Sequence, residues 1–419
     1  MNFIFAMRPC LGYICGVHGC LVLEKPRGRR RLFFGGGMHE FRYDPVQLPA
    51  SAQILRSDVR TFIAEEVASG AFTPSRNSWN TFDADFSRRC GERGYIGMRW
   101  PKQYGGHERS ALERYVVTEE LLAGGAPVGA HWVADRQSGH QILRYGSDRA
   151  KQTILPKIAA GVCFFSIGMS EPDSGSDLAA VRTRAIQVES GWKISGTKVW
   201  TSGAHRTNYL IALARTGPKE EDRHAGMTQF IVDLSHPGVT VRPIYNLYGG
   251  HDFNEVVFDE YFVPDDMILG GVGMGWKMVT GELAFERSGP DRFLSTYQLL
   301  LESIRAIGPD PDDRSANEIG RFVAHLATLR RMSTSVAGML ERGAQPIVEA
   351  ALVKDVGTTF EREVPETFRH LIPTEPTLGE GGSYPELLGM TILRAPGFTI
   401  RGGTREILRG MIARGLGLR

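Results

Sequence analysis

The sequence predicts an α+β protein in which helical segments at both ends enclose a β-rich block. From Ala50 to about Ile158, apolar residues recur at spacings of three and four, which is typical of amphipathic helices. After Gly161, short alternating runs separated by turn residues predict strands, and from Trp276 the helical spacing returns. Strands and helices do not alternate, and no GxGxxG follows a strand, so a dinucleotide-binding Rossmann fold is excluded.

The composition limits the classes of protein to which this chain can belong. The chain has 419 residues, with 42% hydrophobic and 23% charged residues. Its net charge is +2 and its pI about 8.2, with charges dispersed, so nucleic acid is not expected as a partner. No apolar run reaches the roughly 18 residues of a membrane span. We therefore expect a soluble, cytoplasmic protein with a small-molecule or protein partner.

Residues 1–37 differ in composition from the rest of the chain. Three cysteines and one histidine cluster there: Cys10, Cys15, His18 and Cys20. Their spacing fits no common zinc site, so we predict no metal. The basic run Arg27 to Arg31 follows the apolar residues, which is the reverse of a secretory signal. We interpret residues 1–37 as a disordered extension or the product of a start codon assigned too early, with Met38 opening the folded protein.

Three domains follow in order: a helical domain over residues 38–161, a β domain over 162–275 and a helical domain over 276–419. The loop WPKQYGG interrupts the first. In the second, AIQVESGWKISG has two alternating runs around a turn at Ser190 and Gly191. In the third, Pro373 and Pro376 stand where a helix would otherwise run.

The last helical segment follows a glycine pair in FTIRGGTREILRG. Gly402 and Gly403 give backbone freedom, and Thr404 is a candidate N-cap. The apolar residues after it are predicted to share one helical face: Ile407, Leu408, Met411 and Ile412. A glycine-rich helix entry can bind an anion on free N–H groups, or it can simply let the chain turn.

Two stretches of the β domain carry candidate binding residues. FFSIGMSEPDSGSDLAAVRT is a strand that runs into Ser170 and a polar loop. KVWTSGAH places Trp200 and Ser202 at the end of another strand. A large aromatic ring beside hydroxyls can form a wall for a flat ring system. The alternatives are a polar hairpin and a core tryptophan.

Together these stretches resemble the acyl-CoA dehydrogenase family, whose T/S-E-x-x-x-G-S-D loop and K-x-W-x-[TS] strand line the flavin. The resemblance extends from about Ala50 to Arg419 and includes WPKQYGG, VPDDMILG and EILRGMIARGLGL. It implies an N-terminal helical domain, a middle β-barrel-like domain and a C-terminal four-helix bundle, with FAD at their junction. The implied reaction removes a proton from Cα and a hydride from Cβ of an acyl-CoA, giving a trans-2-enoyl-CoA.

The resemblance also implies roles for single residues. Met169 and Ser170 are expected to hydrogen-bond the flavin ring, Trp200 to cover one face of it, and Ser202 to hold the ring or ribityl chain. Ser176 is expected near both acyl-CoA and cofactor. Two further residues belong to the expected cofactor site at the last helix: Thr404, which faces the cofactor, and Glu406, which lies near its ADP part.

The base is expected on the first helix of the C-terminal domain. Many family members carry it as the Glu of Y-E-G-T, but the matching residues here are Arg401, Gly402, Gly403 and Thr404. Members acting on branched or bulky acyl chains place it in a pattern like L-x-x-E-R, which LAFERSG matches. Glu286 is then the base, with a pKa that burial raises and a neighbouring cation lowers.

Two further residues complete the expected substrate site. Arg287 orients neighbouring loops or the CoA end, and Gly402 leaves space for the Glu286 carboxylate, a bulkier acyl chain, or both. As alternatives, Glu286 and Arg287 form an ordinary surface ion pair, or Glu406 is the base.

One subunit of the family lends R-x-x-F-G and Q-x-x-G-G stretches to its neighbour's FAD. Neither stretch stands at the comparable places here, which read IRAIGPDPDDRSANEIG and HLIPTEPTLGEGGSYPELLG. The sequence therefore resembles the base-bearing subunit of bacterial α2β2 heterotetramers that degrade steroid side chains. The alternatives are a homomeric acyl-CoA dehydrogenase and a non-catalytic flavin-fold subunit that completes a partner's site. Electron-transfer flavoprotein is the expected electron acceptor, with oxygen, as in acyl-CoA oxidases, as the alternative.

Overall fold

The computed structural model describes residues 41–74, 78–218, 222–379 and 383–418. The predicted extension 1–37, with its cysteine cluster, lies outside this part of the chain. Among the described residues, none of the helices combines the length and the apolar character of a membrane span.

The N-terminal part is helical, as predicted. Its helices are α1 (Ala50–Ala68), α2 (Ala84–Glu92), α3 (Ala111–Ala123), α4 (Gly129–Val133), α5 (Gly139–Tyr145) and α6 (Asp148–Ala159). A π-helical turn, Ala134–Ser138, joins α4 to α5 without a break. Asp83 caps α2, and Ser110 with Glu113 forms a capping box on α3, so local hydrogen bonds define where these helices begin. WPKQYGG forms a tight turn over fully buried Trp100.

The middle part is an eight-stranded sheet. Its strands are β1 (Phe165–Gly168), β2 (Arg184–Val188), β3 (Gly191–Ser202), β4 (Tyr209–Arg215), β5 (Met227–Asp233), β6 (Val239–Tyr245), β7 (His251–Pro264) and β8 (Ile268–Leu269). The order is β6-β7-β3-β2-β4-β5-β8, and β1 pairs in parallel with β4. The β2–β3 hairpin turns at Glu189 and Ser190, whose φ is 62°. The predicted turn at Ser190 and Gly191 is therefore shifted by one residue, because Gly191 already pairs with Val188 as the first residue of β3.

The C-terminal part returns to helices. These are α7 (Gly275–Arg287), α8 (Tyr297–Ile307), α9 (Asp313–Glu341), α10 (Ile347–Leu371), α11 (Tyr384–Phe398) and α12 (Arg405–Gly415). Helix α10 is central, because it contacts the other five. The segment with Pro373 and Pro376 is not helical, as expected where proline removes an N–H donor.

One hydrophobic core continues through the three parts. Phe86 from α2, Phe165 from β1, Met278 from α7 and Phe360 from α10 belong to the same buried cluster. A second cluster, which includes Trp192, fills the sheet. The shared core fixes α7 against the sheet and thereby brings the two predicted parts of the site into one framework.

Candidate active site

The carboxyl ends of β1 and β3 lie side by side. The backbone N–H of Val199 donates to the carbonyl of Ser170 at 3.0 Å. The ammonium of Lys198 donates to the carbonyl of Met169 at 3.1 Å. These bonds bring Met169 and Ser170 beside Trp200, although Trp200 lies about thirty residues further along the chain.

A buried ion pair holds this arrangement. Lys198 Nζ lies 2.7 Å from Glu171 Oε1, and the side chain of Lys198 is 0% exposed. Glu171 also accepts the backbone N–H groups of Arg182 and Thr183, at 2.6 and 2.9 Å. Burial alone would raise the pKa of Glu171, but Lys198 and these donors lower it. Burial lowers the pKa of Lys198 to about 8, against the opposing attraction of Glu171.

Sequence reasoning missed this pair. Glu171 and Lys198 stand inside the two quoted motifs, each next to predicted flavin-lining residues. The sequence did offer a signal for this ion pair: each of the two motifs expected to line the flavin carries one of two opposite charges. The pair holds the backbone of the loop after β1, residues 169–177, which we call the β1 loop.

Trp200 is presented to solvent by an irregular strand. The β3–β7 register shifts between Lys198 and Thr201, and Trp200 has a φ of 60°. A left-handed tryptophan costs roughly 1–3 kcal/mol and occurs mostly at functional sites. The indole is 60% exposed, with only an edge-to-face contact to Phe253 at 6.0 Å between centroids. An exposed indole beside the β1 loop fits a wall for a flat ring, so the residues present suit a flavin.

The two serines of the predicted site differ in their placement. Ser202 is the last residue of β3, and its carbonyl accepts a bond from Ser166 Oγ at 2.8 Å. Ser176 is exposed in the loop after β1. Ser174 Oγ closes that loop by donating to the Asp177 carbonyl at 2.8 Å. Ser202 thus lies at the strand end with Trp200, whereas Ser176 lies on an exposed loop.

The loop before α12 requires its glycines. Gly402 and Gly403 have φ values of 61° and 93°, a region that side-chain-bearing residues rarely occupy. The ammonium of Lys354, on α10, donates to the carbonyls of Arg401, Gly402 and Gly403 at 2.5, 2.6 and 2.6 Å. The loop is thereby held through its backbone.

The predicted cap of the last helix is confirmed. Thr404 precedes α12, and its hydroxyl accepts the Ile407 N–H at 3.5 Å. The predicted apolar face is only partly correct: Leu408 is buried, but Ile407 is exposed because it lies on the outer side of the helix.

Arg287 lies against this loop. It is 3% exposed, and its Nη1 contacts Met411 Sδ at 2.9 Å. Its Nη2 would be 3.0 Å from a Cβ placed on Gly403. Arg287 is therefore not a surface residue. The side chain of Glu286 lies outside the described residues, but its backbone belongs to the end of α7 that carries Arg287.

Arg401 anchors the other side of the loop. Its Nη2 donates to Ser295 Oγ at 2.8 Å and to Glu361 Oε2 at 2.9 Å, and its guanidinium stacks 4.5 Å from the centroid of Trp79. Burial lowers the pKa of Arg401 and raises that of Glu361, while their attraction opposes both shifts. Sequence reasoning missed this contact because its residues come from distant segments.

The rival carboxylate, Glu406, is exposed in the first turn of α12. Its own backbone N–H and the Thr404 hydroxyl lower its pKa. It lacks the dry surroundings that proton abstraction from carbon requires.

Family models match the first two parts of the chain. The N-terminal domain of acyl-CoA dehydrogenases matches residues 49–162, and the middle domain matches residues 166–261. The chain therefore belongs to the acyl-CoA dehydrogenase family, whose members are FAD-dependent oxidoreductases acting on the CH–CH group of acyl-CoA thioesters. This confirms the predicted family, fold class and cofactor.

Two relatives come from Mycobacterium tuberculosis (strain ATCC 25618 / H37Rv). Acyl-CoA dehydrogenase FadE34 is 30% identical over 323 residues, which are 76% of this chain but only 44% of FadE34. Acyl-CoA dehydrogenase FadE29 is 30% identical over 339 residues, 78% of this chain and 86% of FadE29.

Two solved structures share the fold at the level of single chains. The Tcur3481-Tcur3483 steroid ACAD has a TM-score of 0.78 and 25% identity, covering 89% of this chain and 98% of that one. The ChsE4-ChsE5 complex from Mycobacterium tuberculosis has a TM-score of 0.75 and 26% identity, with coverage of 89% and 98%.

Proposed function

We propose that this chain dehydrogenates an acyl-CoA to a trans-2-enoyl-CoA, with Glu286 as the base. The observation that carries the assignment is the contact of Arg287 with Gly403. It puts the C-terminal end of α7 beside the loop in which Gly402 replaces the more common Glu. A carboxylate from α7 can therefore take the role of the catalytic Glu that this loop does not carry.

Different residues of the chain have different roles in the proposed reaction. The Glu286 carboxylate takes the proton from Cα, and Arg287, buried against Gly403 and Met411, holds the end of α7 in place. Trp200 would cover one face of the flavin ring, and Met169 and Ser170 in the β1 loop would lie at its edge. Bound FAD would supply the hydride acceptor for Cβ.

The acyl group is proposed to be bulky or branched, such as a steroid side chain. Gly402 supports this because its lack of a side chain leaves room next to the base. The similarity to the Tcur3481-Tcur3483 steroid ACAD supports it independently.

We also propose a homologous partner subunit in an α2β2 assembly. Two of the similar structures bear paired names, and one is described as a complex. The C-terminal helical part lacks R-x-x-F-G and Q-x-x-G-G, so a guanidinium for the FAD pyrophosphate must come from elsewhere. Electron-transfer flavoprotein is the proposed electron acceptor, and the cytoplasm the proposed location.

Exchanging the base tests the reaction. Glu286→Gln removes the proton acceptor while keeping size, so we expect turnover of acyl-CoA to fall about a hundredfold or more with FAD still bound. The matched control is Glu189→Gln in the exposed turn before β3, which should retain near-normal turnover. Unchanged turnover in Glu286→Gln would exclude this base, and loss only in Glu406→Gln with FAD still bound would transfer the role.

Flavin absorbance tests the assembly. The chain purified alone should hold little FAD, and co-expression with a homologous partner encoded nearby should restore stoichiometric flavin and activity. Full flavin content and activity in the lone chain would rule out the heteromer.

A further inference from the structure

A cavity opens where the chain leaves α7. It is a small cleft, partly open to solvent. One wall is Ser288 to Asp291, which begins two residues after Glu286. The opposite wall comes from the N-terminal helices and the residues before α3, and α9 closes a third side. We call it the arginine cavity, after Arg99, Arg114 and Arg136, which line it.

Positive charge predominates in the lining. Three guanidinium groups face a single lining carboxylate, that of Asp291. Burial lowers the pKa of His140, also in the lining, to about 4, so it is neutral at physiological pH. The excess charge thus comes from the arginines.

The three arginines differ in their partners. Arg114 pairs with Asp135 at 3.0 Å, and Arg136 pairs with Asp291 at 2.5 Å. Half-buried Arg99 donates no hydrogen bond and joins no ion pair within the described part of the chain. The carboxylate of Glu341 attracts the Arg99 guanidinium, but it accepts its hydrogen bond from the backbone N–H of Ala111.

This lining is unfavourable for a plain hydrocarbon tail. Such a tail would displace water from Arg99 without offering an acceptor, and desolvating an unpaired charge is costly. A carboxylate would instead form a charge-assisted, bidentate contact with the planar guanidinium.

We propose that the arginine cavity binds the far end of the acyl group, that this end carries a carboxylate, and that Arg99 is the residue that binds it. The proposal rests on the proposed function, because it takes the cavity as the continuation of the site at Glu286. The substrate class is then an acyl-CoA with a second, distal carboxyl group.

Binding to a matched series of CoA esters tests this. FAD-loaded Glu286→Gln protein, with its partner subunit where FAD requires it, is titrated calorimetrically with straight-chain monocarboxylic and α,ω-dicarboxylic acyl-CoA esters of increasing length. At one length the dicarboxylic ester should bind at least about tenfold tighter. Arg99→Met should abolish that preference, Arg99→Lys should keep part of it, and exposed Arg109→Met should leave it intact.

The outcomes separate the two proposals. Discrimination that depends on Arg99, combined with a wild-type protein that turns over neither series, would leave the cavity assignment standing and refute the dehydrogenation. Equal affinity for both series, tighter binding of the monocarboxylic esters, no binding at all, or a preference that survives in Arg99→Met would overturn the cavity assignment. Arg99→Met should fold normally, because it removes a charge that has no ion-pair partner.

Discussion

Two loops of this molecule are each held by a fully buried lysine, and the two lysines use different partners. Lys198 holds the β1 loop through the Met169 carbonyl and the Glu171 carboxylate. The partners described for Lys354 at the loop before α12 are three successive backbone carbonyls. We call these contacts the first and the second clamp. The first includes the side-chain carboxylate of Glu171, whereas the contacts described for the second are made to backbone carbonyls.

This difference explains which loop tolerates change. Replacing Glu171 would leave a buried ammonium without its carboxylate, so the flavin-side loop has little freedom. Backbone carbonyls are present whatever the side chains at 401–403 are. Gly402 can therefore stand in place of a catalytic Glu while the loop keeps its anchor, and the base can come from another helix.

The largest expected effect is on the first clamp. Lys198→Met should lower the free energy of unfolding by about 3–5 kcal/mol, because it leaves Glu171 buried without its cation. Urea denaturation measures this. The control is Lys193→Met in the same strand, whose pair with Glu260 is exposed and should cost less than about 1 kcal/mol. The double variant Lys198→Met, Glu171→Met should recover part of the loss, and failure to recover would contradict the pair's role.

A smaller loss is expected at the second clamp. Lys354→Met removes three hydrogen bonds, but exposed Gly402 can still be hydrated, so we expect about 2–4 kcal/mol. Exposed Lys277→Met on α7 is the control and should be nearly neutral. If both variants unfold at the same urea concentration, Lys354 does not hold the loop.

The smallest effect is a pH dependence that distinguishes the clamps. The pKa of Glu171 is lowered in the folded protein, so the unfolded chain takes up its proton first as pH falls below about 4.5. The stabilisation by Glu171 is therefore present above that pH and is lost as pH falls through the folded pKa. Urea denaturation through this range should show a shallower acid loss for Glu171→Gln than for the wild type. Parallel curves would show that Glu171 is not the acid-sensitive part of the first clamp.

Local patterns were sufficient for much of the fold. Helical and alternating spacing predicted the helical, β and helical order, the β2–β3 turn to within one residue and the Thr404 cap, because each depends on residues close in the chain. The exposure of Ile407 was missed, since spacing defines a face but not what covers it.

For the site, the sequence by itself determined the family and the flavin-lining motifs, since each motif is a continuous stretch that ends a strand. Only the tertiary structure decided how these stretches are held and what surrounds them. The pairings of Lys198 with Glu171, Lys354 with the glycine loop and Arg401 with Glu361 each join distant segments. The arginine cavity likewise brings Arg99 and the residues that follow α7 into one lining. The physical reason is that a charge buried on folding must find its partner in space, and the chain's local pattern does not record which segment supplies that partner.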